Sequence, residues 1–209
     1  MNKRQKELIN QLSDIELVKQ LYLTQGILFV ISCGLFIFLF DSMTEFLSYI
    51  QLDLYEVVYY GIGSAAIVIL IDGLLMKILP KEMYDDGGIN EKVFRERPIW
   101  HIFLLSFIVA CTEEFLFRGI IQSQFGFFIA SITFALLHLR YLTKPVLLIS
   151  VLLLSFYIGW IFEITENLLV TIVAHLLIDF VFGCIIRVQY MRGQPVSESF
   201  NEGGIIRDE

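Results

Sequence analysis

Three ionisable residues occupy six positions inside the apolar stretch "ACTEEFLFRG", Ala110 to Gly119. At about 2.5–3.5 kcal/mol per ionised group at the bilayer centre, Glu113, Glu114 and Arg118 would cost on the order of 8–10 kcal/mol if unpaired. Glu114 and Arg118 are four residues apart and share a helix face, which predicts an ion pair between them. Glu113 lies ~100° around the helix. A packing salt bridge therefore explains two of the charges but not Glu113.

Two of the three histidines also lie in apolar runs, His138 in "FALLH" and His175 in "HLLID". Asp179 follows His175 by four residues, so the two side chains share a helix face. A single intramembrane histidine is more often a packing residue than a ligand. Two histidines beside an acid and a spare glutamate favour a functional site. His101, near the start of its span, is expected at the interface and is assigned no function.

The spacing along the helices predicts that these groups share one depth in the bilayer. Glu113 and His138 each lie 12 residues from the turn that joins their two spans, which corresponds to ~18 Å of helix. His175 and Asp179 lie ~12 Å and ~18 Å beyond the start of the last span. Four polar groups from three helices therefore converge on one water-filled cavity.

Such a cavity suits water attack on a peptide carbonyl. A partly desolvated glutamate without a counter-ion can act as a general base, and a neighbouring histidine can share or relay the proton. A second histidine can stabilise the oxyanion that forms. A serine mechanism fits less well, because no serine lies in this layer within a nucleophile motif. Cys111 points to nearly the opposite face from Glu113, and the HExxH pattern of zinc proteases is absent.

The composition is typical of a membrane protein. Of 209 residues, 56% are hydrophobic, and the mean hydropathy is +0.71, whereas soluble domains average about 45–50% apolar residues. The charges, which sum to −7, cluster outside the apolar segments. No basic face is interleaved with aromatic residues, so the sequence does not favour nucleic-acid binding. The three cysteines lie in apolar runs and are expected to be packing thiols.

A spanning helix needs roughly 20 mainly apolar residues, and six segments are candidates. They are Leu21–Phe40, Val57–Leu79, Pro98–Gln124, Phe127–Tyr141, Pro145–Phe162 and Leu168–Tyr190. The fourth and fifth are short, so four spans with one re-entrant hairpin are an alternative. The fold class expected is an all-α polytopic bundle of about six transmembrane helices.

Connections that contain lysine or arginine alternate along the chain with connections that contain neither. This alternation predicts that both termini are cytosolic. The chain then divides into four regions. Residues 1–20 form a cytosolic or interfacial helix, for which a disordered basic tail is the alternative. Residues 21–97 hold two spans and a cytosolic loop. Residues 98–190 hold a catalytic core of four helices, and residues 191–209 a flexible cytosolic tail.

The motifs "EEFLFRG", "FALLH" and "HLLID" resemble, in order, the EExxxR, FxxxH and HxxxN/D motifs of the CPBP family of CAAX proteases and bacteriocin-processing (Abi) enzymes. The resemblance covers roughly Trp100 to Arg187. It implies an intramembrane endopeptidase in which Glu113 activates water with help from His138. His175 and Asp179 would form the oxyanion or metal side.

The same resemblance implies a supporting role for Glu114 and Arg118, and Phe134 opens the FxxxH motif. Members of the family have been described as metalloproteases and as glutamate proteases. Glu113, His138 and His175, with Asp179 as a further candidate, could ligate zinc and leave one position open for water.

The last motif residue is more commonly asparagine in this family, whereas this chain has Asp179. Asparagine can donate a hydrogen bond to an oxyanion, and an ionised aspartate cannot. Three roles are therefore open for Asp179: it is protonated, it orients His175, or it binds a cation.

The leading hypothesis is a membrane protease in a bacterial plasma membrane that cleaves a membrane-associated peptide or protein and is surrounded by membrane lipid. A non-catalytic bacteriocin-immunity or scaffold protein is the second hypothesis. A proton-coupled carrier is the third, because intramembrane carboxylates and histidines also serve proton relays. The absence of an inverted repeat counts against a carrier.

Overall fold

The computed structural model describes residues 12–141 and 144–193. Its regular structure in this part of the chain is helical throughout, which confirms the predicted fold class. Five helices are long and apolar enough to cross a membrane, and a sixth apolar helix is shorter. In chain order these are α1 Asp14–Leu39, α2 Leu54–Ile78, α3 Ile99–Phe125, α4 Phe127–Leu137, α5 Pro145–Thr165 and α6 Leu168–Gly193.

The connections carry short helices of their own. Met43–Leu47 lies between α1 and α2, Lys81–Tyr84 and Ile89–Phe94 lie between α2 and α3, and a 3₁₀ turn at Leu139–Tyr141 follows α4. Gly126, with φ +89°, allows the reversal between α3 and α4, since a left-handed backbone is unfavourable for other residues. Pro145 occupies the first turn of α5, where its missing N–H is not needed.

The first helix begins with a capping box. The Ser13 side chain accepts a hydrogen bond from the Glu16 backbone N–H, and Glu16 accepts one from the Ser13 N–H. The helix then continues without a break to Leu39. The structure therefore shows no boundary at residue 20 between an N-terminal helix and the first span. Most of the predicted N-terminal segment (residues 1–11) and most of the predicted tail (residues 194–209) lie outside the described residues.

The predicted fourth span, Phe127–Tyr141, is wrong in length. Its helix α4 has 11 residues, or ~16 Å of helix, about half of the ~30 Å hydrocarbon core. The helix ends at Leu137, where the backbone of the next residue, His138, leaves the helical range with ψ +54°. Hydropathy alone does not locate this end. The fifth predicted span is instead a full-length helix of 21 residues.

Helix α6 packs against α2, α3 and α5, and α4 packs against α5 and the second half of α3. Large apolar side chains such as Phe38, Leu70 and Leu153 are 87%, 72% and 64% exposed on the outside of this bundle. In water such a surface would be costly, whereas lipid tails are as apolar as the side chains themselves. The protein is an integral membrane protein.

Helix α3 changes its hydrogen-bonding pattern directly after the two glutamates. Residues Ile99–Glu114 are α-helical, and Phe115–Gln122 form a π-helical segment. Most π-helices are single-turn bulges, and they occur frequently at functional sites. The extra residue in the turn alters which side chains of α3 face α5 and α6 beyond Glu114.

Candidate active site

The two adjacent glutamates have different surroundings. Glu114 is fully buried, and its carboxylate contacts a cationic or polar partner through each oxygen. Its Oε2 lies 3.4 Å from Nε of Arg118, which is the ion pair that the sequence predicts. Its Oε1 lies 2.8 Å from Nδ1 of His175 on α6. Glu114 thus joins two helices and is already neutralised by its neighbours.

Arg118 is also fully buried. Its Nη2 donates to the backbone oxygen of Ser155 on α5 at 3.0 Å and to the Ser155 hydroxyl at 3.2 Å. Its guanidinium lies 4.9 Å from the centre of the Phe134 ring, within cation–π range. These contacts compensate in part for the lost hydration of a buried charge, and Nε and Nη1 have no hydrogen-bond partner in the described chain.

Glu113 is 9% exposed, and one of its oxygens accepts a hydrogen bond from a helix that carries none of the three motifs. Nε2 of Gln25, on α1, donates to Glu113 Oε1 at 3.0 Å. In the described residues no hydrogen bond reaches Oε2. Arg118, His175 and Asp179 are close enough to interact electrostatically with Glu113. Glu113 therefore keeps one oxygen available for water, in a site where the nearest arginine is paired with Glu114.

His138 follows the last residue of α4, and a hydrogen bond of its ring defines the tautomer. Its Nδ1 lies 2.9 Å from the backbone oxygen of Phe134. A carbonyl oxygen can only accept, so Nδ1 carries a hydrogen and Nε2 of the neutral ring has the free lone pair. The ring packs 4.8 Å from that of Phe134 and 5.8 Å from that of Tyr141, measured between ring centres. His138 thus offers Nε2 as a base, a relay or a ligand.

The segment after His138 is fixed to the loop between α2 and α3. Nη2 of Arg140 donates to the Tyr141 hydroxyl at 2.6 Å and to Oδ1 of Asn90 at 3.3 Å. Burial raises the pKa of the Tyr141 phenol, so this hydroxyl stays neutral. These contacts hold the position at which α4 stops and His138 turns towards the site.

His175 connects Glu114 to Asp179. Its Nδ1 donates to Glu114, and its Nε2 lies 3.6 Å from Oδ2 of Asp179, slightly beyond direct hydrogen-bond distance. The Asp179 side chain is 34% exposed, whereas that of His175 is 7% exposed. Of the three roles left open for Asp179, this geometry favours orienting His175.

The Phe134 ring lies among the groups of all three motifs. Its centre is 4.8 Å from that of His138 and 6.2 Å from that of His175, and Arg118 lies over its face. Phe134 is itself 4% exposed. The convergence of polar groups from α3, α4 and α6 that the sequence predicts is therefore present, with an aromatic ring at its centre.

Zinc does not fit the arrangement observed. In the described ranges no group of three or more His, Cys, Asp and Glu side chains is placed to hold one metal ion. Glu114 and Nδ1 of His175 are occupied by each other. Among the described residues, the donors without a hydrogen bond are Oε2 of Glu113, Nε2 of His138, Nε2 of His175 and the Asp179 carboxylate, but no three of them are placed around one point. Zinc binding stays a prediction.

Two site residues were missed by the sequence reasoning. Gln25 contacts Glu113, and Ser155 contacts Arg118. Gln25 is a lone amide in the apolar run "LYLTQGILFV", and that polarity was a usable signal. Ser155 had no comparable signal, because it bonds mainly through its backbone oxygen.

Other polar groups lie elsewhere. His101 bonds to the hydroxyl of Tyr22 at 3.0 Å. Asp72 lines a separate cavity of about 480 Å³ between α2, α5 and α6. None of the predicted site residues lines that cavity.

The fold and the site define a polytopic helical membrane protein with a buried centre of glutamates and histidines. The sequence profile of the family described as type II CAAX prenyl endopeptidase Rce1-like matches residues 95–181. Uncharacterized protein YpbD of Bacillus subtilis (strain 168) is 41% identical over 170 residues, which cover 81% of this chain and 90% of the relative. No solved structure matches the chain. The chain belongs to the Rce1-like family, the CPBP/Abi family, which confirms the resemblance carried by the three motifs.

Proposed function

We propose that this protein is an intramembrane endopeptidase of the CAAX protease type, in which Glu113 activates a water molecule without a metal. The observation that supports this is the division between the two glutamates. Glu114 is neutralised by Arg118 and His175, whereas Glu113 keeps Oε2 free. A structural ion pair would need only one of the two carboxylates.

In the proposed reaction, water donates a hydrogen bond to Oε2 of Glu113, and its oxygen attacks the carbonyl carbon of the scissile peptide. Glu113 takes the proton as the new C–O bond forms. The tetrahedral intermediate then collapses, the C–N bond breaks, and the proton passes to the leaving amine. Nε2 of His138, which has a free lone pair in the neutral ring, can relay that proton. The products are a new carboxyl terminus and a new amino terminus.

In this proposal His175 acts on the oxyanion of the intermediate, whereas Glu113 acts on the water. Glu114 holds its Nδ1 and so sets the orientation of the ring. When the ring is protonated, its Nε2–H can donate to the oxyanion of the intermediate. Asp179, 3.6 Å from Nε2, orients that donor and balances the positive charge of the ring.

The substrate class proposed is a membrane-associated peptide or protein, and the location is a bacterial plasma membrane surrounded by lipid. The family description names prenylated CAAX proteins as substrates of the matching enzymes. The Bacillus relative supports a bacterial host. The cleaved peptide has to reach a centre flanked by α3, α4 and α6, so a lipid-anchored or membrane-inserted chain suits it best.

The test is hydrolysis by purified protein in proteoliposomes. The probes are CAAX peptides with a prenylated cysteine, the same peptides without the lipid, and an extract of bacterial membrane peptides, each in H₂¹⁸O. Mass spectrometry should show new carboxyl termini that contain ¹⁸O with the wild type and not with Glu113→Gln. Wild-type protein that produces no cleavage with any probe, or equal cleavage by both proteins, would overturn the proposal.

A further inference from the structure

The contact between Gln25 and Glu113 joins α1 to the site across 88 positions of sequence. Gln25 is 4% exposed, and its partner is the member of the glutamate pair that has no ion pair with an arginine among the described residues. The family profile begins at residue 95, so Gln25 lies outside the matched region. Helix α1 packs against both the α-helical and π-helical parts of α3, which places the amide beside the point where α3 changes geometry.

The orientation of the Gln25 amide follows from its partner. A carboxylate can only accept hydrogen bonds, so the NH₂ group faces Glu113 and the amide oxygen faces away. That oxygen, Oε1, is buried and has no hydrogen-bond partner in the described chain. A buried acceptor without a partner is unfavourable for folding. An apolar side chain of the same size would avoid this cost, so packing alone does not account for Gln25.

We propose that Gln25 is a positioning residue of the active site. Its amide holds Oε1 of Glu113 and leaves Oε2 directed at the attacking water. This inference rests on the proposed function, because it assigns to Gln25 a role in the reaction of Glu113. The peptidase site then includes four helices, α1, α3, α4 and α6, and the first helix is a catalytic requirement rather than only a membrane anchor.

The competing explanation is a structural tie between α1 and α3. Gln25→Met removes the donor to a largely buried carboxylate oxygen, so both explanations predict a lower melting temperature for this variant. The two explanations differ in the activity of the folded protein. A structural tie predicts that kcat, measured well below the melting temperature, stays near that of the wild type, whereas a positioning role predicts a lower kcat that Gln25→His recovers.

The experiment compares Gln25→Met, Gln25→His and the control Ser32→Ala in proteoliposomes. Ser32 is also buried in α1, two turns further along, but its hydroxyl bonds within its own helix to the backbone of Leu28. Histidine can place an N–H near the position of the glutamine amide nitrogen, so Gln25→His is the conservative variant. The readouts are kcat and KM for whichever probe peptide the wild type cleaves, together with the melting temperature of each variant.

We expect Gln25→Met to lower kcat about 10-fold to 100-fold, the size of effect that a misplaced catalytic group produces, with KM nearly unchanged, at a temperature at which the variant is still folded. Gln25→His should recover most of kcat, and Ser32→Ala should match the wild type. Unchanged kcat in folded Gln25→Met would overturn the inference in favour of a structural tie, while the proposed function stands. A fall in kcat that Gln25→His does not recover would also overturn it. A wild type that cleaves no probe would remove the proposed function, and the positioning role with it.

Discussion

Glu113 and Glu114 are neighbours in the chain, yet their contacts assign them opposite tasks. Glu114 shares its charge with Arg118 and His175, and all three side chains are buried. Glu113 has a neutral donor on one oxygen, and no described residue donates to the other. A base needs an available lone pair, and a structural anion needs compensation. The two carboxylates meet these two requirements separately.

Replacing each glutamate by glutamine should separate the two tasks. Glu113→Gln should abolish cleavage and leave the melting temperature close to that of the wild type. Glu114→Gln should destabilise the protein by about 3–5 kcal/mol, because it leaves Arg118 buried without its counter-ion. Thermal unfolding in detergent and cleavage in proteoliposomes provide the two measurements. Equal effects of the two substitutions on both readouts would contradict this division.

Whether the protein needs a metal also depends on single residues, because it depends on which side chains are free to act as ligands. In the described chain no three of the histidine and carboxylate donors are placed to hold one ion, whereas a zinc site takes at least three protein ligands. Dialysis of the purified protein against a chelator should therefore leave kcat unchanged. Zinc analysis of the wild type beside the His138→Ala, His175→Ala double variant provides the control. Activity lost on dialysis and restored by zinc would mean that these side chains rearrange around a metal.

Among the helices, the contact between α3 and α6 holds the centre together, because α3 carries both glutamates and α6 carries His175. Gly183 of α6 is at this crossing. A Cβ atom added there would lie 2.6 Å from Cγ2 of Ile102 and 3.0 Å from Cδ1 of Phe94. The packing of α6 against the Ile102 and Phe94 side chains therefore depends on the missing side chain at Gly183.

Gly183→Ala should push α6 away from α3 and lengthen the Glu114–His175 bond. We expect a lower melting temperature and a loss of activity larger than the loss of stability alone would produce. Gly34→Ala is the matched control, because a Cβ atom at Gly34 meets nothing within 4 Å. Both variants are measured by thermal unfolding and cleavage. A Gly183→Ala protein as stable and active as Gly34→Ala would show that α3 and α6 tolerate separation.

Helix bounds were largely predictable because continuous hydropathy is a strong signal over about 20 residues. The sequence predicted a third span over Pro98–Gln124, and the helix covers Ile99–Phe125. The end of α4 was missed, because the predicted span was carried past His138 and Arg140 to Tyr141. The helix ends at Leu137, and the backbone of His138 leaves the helical range with ψ +54°.

The polar centre was predictable in part for a different reason. Charges in an apolar run are conspicuous, and the four-residue spacing correctly placed Glu114 and Arg118 on one face of the helix. Helical spacing cannot show contacts between distant segments, such as Gln25 with Glu113 or His175 with Glu114. The π-helical segment Phe115–Gln122 was also missed, because its residues are ordinary for an apolar α-helix.

For the whole molecule, the orientation in the membrane follows from charge and not from packing. Five basic residues lie in the last turn of α2 (Lys77) and in the loop between α2 and α3 (Lys81, Lys92, Arg95 and Arg97), whereas the segment between α1 and α2 carries acids and no base. Basic residues are retained on the cytosolic side during insertion. Hydrogen bonding to Asp14 raises the pKa of Arg95 further, so its charge is permanent. We therefore predict a cytosolic position for this loop and for both termini.

Cysteine labelling tests this orientation with two exposed positions, Glu45 before α2 and Glu91 before α3. The native Cys33, Cys111 and Cys184 are first replaced by serine or alanine, since each is partly accessible. In intact cells a membrane-impermeant maleimide should label Glu45→Cys, whereas Glu91→Cys should react only after lysis. The reverse pattern would place both termini outside the cell. Because Arg140 bonds Asn90 of the same loop, the outcome also decides from which side of the membrane the His138 turn is approached, and hence where a substrate peptide has to enter.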